Sequence, residues 1–249
     1  MEVFFKLNND LHFFFILLKV FQSVFRYKIL LQAFGLIYCC RNFIKMNNQL
    51  IFVRIATAED AVYADEIIKE TESSAIARGS GISKRSIESV VEKMINGKAV
   101  IALSSSAEWV GFSYLETWEN GSFVSNSGLI VAPKFRNSGV AKCIKNRVFR
   151  LSRRIYPKAK IFSITSGTAI MKMNSALGFE PVTFEEITHD FKFWEGCKSC
   201  INYDILQRKK NCNCLCTAML YNPENHRQED SAIQKNEKFN SDASLQTLN

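Results

Sequence analysis

Between residues 50 and 182 the spacing of apolar side chains switches between a period of two and one of three to four, and the switches divide the chain into elements. Residues 50–55 (Leu-Ile-Phe-Val-Arg-Ile) predict a strand. Thr57 follows as an N-cap, with Glu59 and Asp60 in the first turn, where the helix dipole favours acids. Ala61, Ala64, Ile67 and Ile68 share one face of a helix running to about residue 74. A basic, glycine-rich loop over 77–85 precedes a second helix, capped by Ser83 or Ser86 and closed by Asn96-Gly97. Residues 98–103 and 109–118 read as strands, and Asn120-Gly121 signals a two-residue hairpin to a partner strand over 123–131. A helix over 138–155, a buried strand over 159–165, a short helix over 168–177 and a turn into later strands complete the order β-α-α-β-β-β-α-β-α-β.

The ends do not share this pattern. Residues 1–45 form a hydrophobic leader with nine phenylalanines between Phe4 and Phe43, and its longest uncharged run, 29–40, is shorter than the ~20 residues a bilayer crossing needs. Recurrent charges, including Glu2 and Asp10, fit a signal peptide poorly. Two readings stand: a segment lying on a membrane or a partner, or a mis-called start with Met46 as the true one. From residue 222 the chain is polar and nearly free of aromatics, and a disordered tail over 222–249 is expected. The domain itself is expected over 50–221.

Charge narrows the function. The formal net charge is +8, and six cations against two acids in residues 1–49 supply half of it. The remainder is mildly basic without a Lys/Arg block interleaved with aromatics, which argues against nucleic acid as a partner. A modest positive field suits an enzyme taking an anionic co-substrate.

The stretch with most chemistry is Gly128-Leu-Ile-Val-Ala-Pro-Lys-Phe-Arg-Asn-Ser-Gly-Val-Ala141. Leu129, Ile130 and Val131 end a buried strand that Pro133 stops, and a helix opens behind Gly139. A helix's first amides lack intrahelical partners and carry partial positive charge, so this turn is an anion cradle sized for a pyrophosphate. It is no Walker A loop, because no Gly-Lys-Ser/Thr follows.

The pattern Val-x-Pro-x-Phe-Arg-x-x-Gly-Val-Ala resembles the acetyl-CoA motif of the GNAT acyltransferases, whose core is Arg/Gln-x-x-Gly-x-Gly/Ala. Met173-Asn-Ser-Ala-Leu-Gly-Phe179 resembles that family's Leu-Tyr-x-x-x-Gly-Phe helix, with Asn174 where many members place a tyrosine acid. The resemblance covers about residues 50–220. It implies an α/β (α+β) GNAT fold, a mixed, mostly antiparallel central sheet with helices on both faces. It also implies acetyl-CoA as co-substrate, held by Leu129, Ile130, Val131, Arg136, Asn137, Ser138, Gly139, Val140, Ala141 and Asn174. Asn174 is expected either to bond the pantetheine arm or to be a solvated helix residue. Gly-Phe-x-Pro-Val and Asn-Tyr-x-x-x-x-Arg-Lys are similar to the acetyltransferase domain of N-acetylglutamate synthases, which implies glutamate as acceptor and a place in arginine biosynthesis.

Acyl transfer to an amine needs the amine deprotonated, the oxyanion stabilised and the thiolate protonated. Glu116 is the candidate base, or else an exposed carboxylate at a strand end. Tyr203 is the candidate acid, and backbone N–H groups near Ile130 and Val131 are candidates to polarise the thioester. Arg78 and Arg85 offer planar forks for an acceptor carboxylate, against a merely solvated loop. Cys197-x-x-Cys200 and Cys214-x-Cys216, with Cys212 spare, are read as tetrahedral structural zinc or as free thiols, not disulfides, since a cytoplasmic setting is expected. The partners expected are a small-molecule amine acceptor such as an amino acid, no nucleic acid, no membrane unless the leader is real, and a homodimer as one assembly state. Two other functions stay open: a catalytically silent module binding CoA or an amino acid, and a peptide or protein N-acetyltransferase.

Overall fold

The computed structural model describes residues 43–46 and 49–226; the rest of the expected leader and the tail from residue 227 lie outside the described residues. Among the described residues eight strands form one sheet: β1 (Phe43–Met46), β2 (Gln49–Ile55), β3 (Ala99–Ser104), β4 (Trp109–Trp118), β5 (Phe123–Val131), β6 (Lys160–Thr165), β7 (Glu180–Val182) and β8 (Thr217–Tyr221). Their order is β1-β2-β3-β4-β5-β6-β8-β7. The pairs β2–β3, β3–β4, β4–β5, β6–β8 and β7–β8 are antiparallel, and β5–β6 is parallel. A parallel neighbour needs a long crossover, and α3 (Val140–Ile155) supplies it.

The other helices are α1 (Ala64–Ala77), α2 (Ile87–Ile95), α4 (Thr168–Ser175), α5 (Phe191–Glu195) and α6 (Tyr203–Arg208). Ser86 caps α2, its hydroxyl accepting from the Ser89 amide at 3.2 Å. Before α1 the chain makes a 3-10 turn over Ala58–Tyr63, which buried Asp60 fastens to Arg54 through two 2.7 Å bonds. Strand alternation sends side chains to two covered faces. Asn126 of β5 donates to Ser152 of α3 at 2.7 Å on one, while Phe112 and Tyr114 of β4 share a pocket wall with Ile67 of α1 on the other. The main core fills both layers with residues such as Val100, Ile101, Phe112, Leu115, Ile144 and Val148, all essentially unexposed. Each such side chain contributes roughly 1.5–3 kcal/mol by leaving water.

Three local expectations change. Trp118 pairs with Phe123, so the β4–β5 hairpin closes over four residues, with Glu119 and Asn120 both at positive φ. The stretch between the cysteine pairs, residues 201–206, reads in the sequence as strand-like, yet from Tyr203 it is helical in α6, which an Asp204–Arg208 pair at 2.8 Å supports one turn apart. Residues 223–226 of the expected tail form a 3-10 turn (Pro223–His226), with Pro223 buried and His226 stacked on Tyr221. No helix among the described residues is long and apolar enough to cross a membrane.

Candidate active site

The parallel pair β5–β6 is short. Only Phe123, Val124 and Ser125 meet Lys160, Ile161 and Phe162, and beyond them the two strands part. Residues 126–131 of β5 and 163–165 of β6 therefore bound a fork in the sheet, with β5's backbone groups on that side free of a strand partner. Leu129, Ile130 and Val131 line the fork, which opens toward the start of α3. There Gly139 is the N-cap at φ +84, a conformation costly for any residue with a Cβ, and a Cβ added to it would meet no atom within 4 Å. Among the described residues no side chain caps this helix, and no acid occupies its first turn, so the leading amides of α3 keep the positive end of the dipole intact. Asn137, also left-handed at φ +59, and Ser138, whose hydroxyl donates to the Phe135 carbonyl at 2.5 Å, shape the approach.

On the α1 side of the sheet, a bulge shifts the β4–β5 register between Phe112 and Tyr114. Gly128 makes it possible. It sits at φ +65, and a Cβ there would come within 2.6 Å of the Tyr114 ring. The ring fills that space, and its hydroxyl accepts a 2.5 Å bond from Arg85 Nε. Arg85 Nη1 also donates to the Ser83 carbonyl at 2.9 Å. Nη2 and one Nη1 hydrogen remain, a fork suited to one carboxylate. Half-buried Arg85 has no carboxylate partner among the described residues. It lines a pocket with Ile67, Ile68, Thr71, Glu72, Ile82 and Phe112, closed behind by Tyr114 and Gly128.

No family model matches this sequence, and no curated protein does. Solved structures do match. N-acetylglutamate synthase from Neisseria gonorrhoeae, complexed with coenzyme A and N-acetyl-glutamate, superposes with a TM-score of 0.50 at 15% identity, over 69% of this chain and 35% of that one. The fold is the GNAT fold. Rv2747 from Mycobacterium tuberculosis, in complex with CoA and NLQ, matches 68% of this chain and 98% of its own at 15% identity and a TM-score of 0.48. A GNAT superfamily phosphinothricin acetyltransferase from Sinorhizobium meliloti, in complex with AcCoA, matches 69% and 88% at 16% identity and a TM-score of 0.46. This chain thus spans about a third of the length of the Neisseria synthase.

Within the GNAT fold the other expected site residues fall in different places. Arg136 has its side chain committed to α1, donating to Glu70 at 2.6 Å and Ser74 at 2.5 Å, and to the Val131 carbonyl at 3.1 Å. Its backbone amide is engaged as well, donating to the Pro133 carbonyl at 3.3 Å, which leaves the cradle to the residues from Asn137 through Ala141. Arg78 is exposed after α1 and does not line the pocket that holds Arg85, so the two do not form a paired clamp. Glu116 is ion-paired with Lys93 and lies 3.9 Å from Lys98; its side chain is 20% exposed, so it is neither a free strand-end carboxylate nor part of the pocket. Tyr203 opens α6 and packs on a second apolar cluster with Phe162, Leu206 and Leu220, also away from the pocket.

Asn174 needs correction. It is wholly buried, its amide donating weakly to Met219 Sδ at 3.5 Å while Oδ1 has no partner among the described residues, so it is no solvated residue and offers no surface to a pantetheine arm. The motif's short helix turns this side inward because Leu177 and Phe179 amides both bond back to the Asn174 carbonyl. On the facing helix, Lys145 is 2% exposed with its ammonium 5.0 Å from the Phe179 ring centre, and burial pulls its pKa down to about 7.

The cysteines do gather, but not as a zinc site. Among the described residues no three His, Cys, Asp or Glu side chains are placed to hold a metal ion. Their sulfurs are engaged locally instead. The Asn202 amide donates to Cys200 Sγ at 3.5 Å and the Cys216 amide to Cys214 Sγ at 3.3 Å. Cys214 is drawn down to about 6, chiefly by the Cys216 thiol that donates to it, while burial and its thiol neighbours push Cys197 up to about 11. Cys212 is exposed beside Glu185. What the cluster touches is the basic loop: a Cβ on Gly81 would lie 2.4 Å from Cys200 Sγ, and the Lys84 amide donates to Ser199 at 2.8 Å. Sequence reasoning missed Tyr114 and Glu72; only the unusual glycine at 128, mid-strand, pointed toward the bulge.

Proposed function

We propose that this chain is an acetyl-CoA-dependent N-acyltransferase acting on a small amino acid. The observation that carries the reading is Arg85, a half-buried guanidinium whose Nη2 and second Nη1 hydrogen have no partner among the described residues, in a mainly apolar pocket beside the β4–β5 bulge that also holds Thr71 and Glu72. A cation so placed favours an anionic ligand. The co-substrate's diphosphate would sit on the amides opening α3 (Ser138, Gly139, Val140, Ala141) and its arm in the fork along Leu129–Ile130–Val131. Support for this comes from the GNAT fold shared with a synthase bound to coenzyme A.

In the reaction the acceptor's neutral amine attacks the thioester carbonyl, a C–N bond forms, the C–S bond breaks, and the thiolate leaves, taking up through water the proton that the nitrogen sheds. β5 amides near Ile130 and Val131 are set to donate to the developing oxyanion. Tyr114 and Ser83 hold Arg85, which orients the acceptor by its carboxylate. Glutamate, and with it a place in arginine biosynthesis, is the first acceptor to test, because the Neisseria synthase is complexed with N-acetyl-glutamate.

A thiol-release assay with acetyl-CoA across amino acids, polyamines and peptides tests the reading. Release with carboxylate-bearing amino acids is expected. Binding of acetyl-CoA without release from any acceptor would make the chain a silent binding module, a reading the buried Asn174 favours by removing an acid from the tyrosine position. Release with peptides alone would make it a peptide acetyltransferase.

A further inference from the structure

α1 carries several carboxylates, and packing gives each a different environment. Asp65 pairs with Lys69 at 2.6 Å. Glu70 is taken by Arg136 and Ser74. Glu72 is half-buried, and no hydrogen bond or ion pair engages its carboxylate among the described residues. It stands beside Thr71 in the wall of the pocket that Arg85 lines, and the rest of that wall is mainly Ile67, Ile68, Ile82 and Phe112. Two opposite charges thus stand at the rim of one mainly apolar cleft whose enclosed floor is only about 20 Å³, room for one water, so that a ligand would lie across its mouth, and no ion pair joins the two among the described residues. A ligand that offers both a cation and an anion would pair with each.

A zwitterion does so. We infer that Glu72 receives the acceptor's ammonium group and takes its proton, while Arg85 holds the α-carboxylate, so that the pocket selects an α-amino acid over a simple amine. The inference rests on the acyltransferase reading and extends it to the base. The ammonium passes one proton to Glu72, directly or through a water. The amine's freed lone pair then attacks the thioester carbonyl, the C–S bond breaks, the second proton that the nitrogen sheds as the amide forms passes through water to the departing thiolate, and Glu72 returns its own proton to solvent. Glu116, held by Lys93, has no part in this. A polyamine would set a cation against Arg85, and an alkylamine would leave Arg85 unpaired, so both are poor acceptors.

The test compares wild type, Glu72→Gln and Arg85→Gln, each first titrated with acetyl-CoA to establish an intact fold and cofactor site. Kinetics follow with L-glutamate, L-leucine and butylamine across pH, together with calorimetric binding of the two amino acids. Glu72→Gln is expected to lower kcat by on the order of 10²-fold or more and to abolish the acidic limb of the pH–rate profile. Arg85→Gln is expected to raise KM for amino acids while leaving that limb in place. Wild-type kcat and an unchanged limb in Glu72→Gln would overturn the inference and leave the acyltransferase reading standing. Amino-acid binding that needs both residues, without turnover in the wild type, would keep the zwitterion site and sink the acyltransferase. Neither binding nor turnover would sink both.

Discussion

Replacing Lys145 with methionine should stabilise this protein, and by an amount that depends on pH. In the folded chain the ammonium is 2% exposed against the Phe179 ring, and burial takes its pKa from an ordinary 10.5 to about 7. The folded state therefore binds this proton less tightly than the unfolded chain does. The penalty is fully present below about pH 7, shrinks as pH rises, and is gone above 10.5. For one group with these two pKa values it is about 4 kcal/mol at pH 7 and about 2 kcal/mol at pH 9. Methionine keeps most of the volume and removes the charge, at the loss of a ring contact of roughly 0.5–1 kcal/mol. Urea denaturation of wild type and Lys145→Met at pH 7 and pH 9 measures the difference. The variant should lead by some 3 kcal/mol at the lower pH, and its lead should narrow by roughly 2 kcal/mol at the higher. A lead independent of pH, or one that widens with pH, would refute the reasoning.

Three further predictions concern the site and its surroundings. Gly128→Ala should cost about 1–2 kcal/mol for the left-handed backbone, and more as the Tyr114 ring is displaced. A lower Tm with a raised KM for the acceptor is expected, and wild-type values for both would contradict the bulge's role. Glu116→Gln should leave turnover at saturating substrate within about twofold, while losing roughly 1–2 kcal/mol of stability as Lys93 loses its ion pair; a large fall in kcat would restore Glu116 as the base. Cys214 should be alkylated by iodoacetamide faster than the other described cysteines at pH 7, slowing as pH falls through about 6, because Cys216 donates to its thiolate. Mass spectrometry of partially labelled protein reads the order, and preferential labelling of Cys197 would overturn it.

The segment from β5 through α3 could be read from the chain because its signals are local. Pro133 ends a strand, Gly139 permits a left-handed cap, and Val140, Ile144, Val148 and Leu151 repeat on one face. The fork between β5 and β6 could not, since it depends on where pairing between residues some 37 positions apart stops. Glu72 was hidden for a similar reason. Glu66, Glu70 and Glu72 are alike in a sequence, and only tertiary packing separates the one bound to Arg136 from the one facing the pocket. Asn174 shows the reverse failure: a motif placed it by spacing, whereas the turn after it rotated the side chain into the core. Residues 201–206 read as strand-like because the stretch is too short to show a helical period, and the Asp204–Arg208 pair that supports the helix spans its end.

The contact of Gly81 with Cys200, and of Lys84 with Ser199, bridges 115 positions or more of chain. Anyone wishing to retune this protein toward a new acceptor inherits that bridge. A transplanted loop carrying any larger side chain at position 81 would strike a sulfur and push Arg85 off its mark. Grafts must therefore travel as a matched pair of segments, 77–85 with 196–202, and libraries that diversify one piece alone will mostly return misfolded or idle proteins.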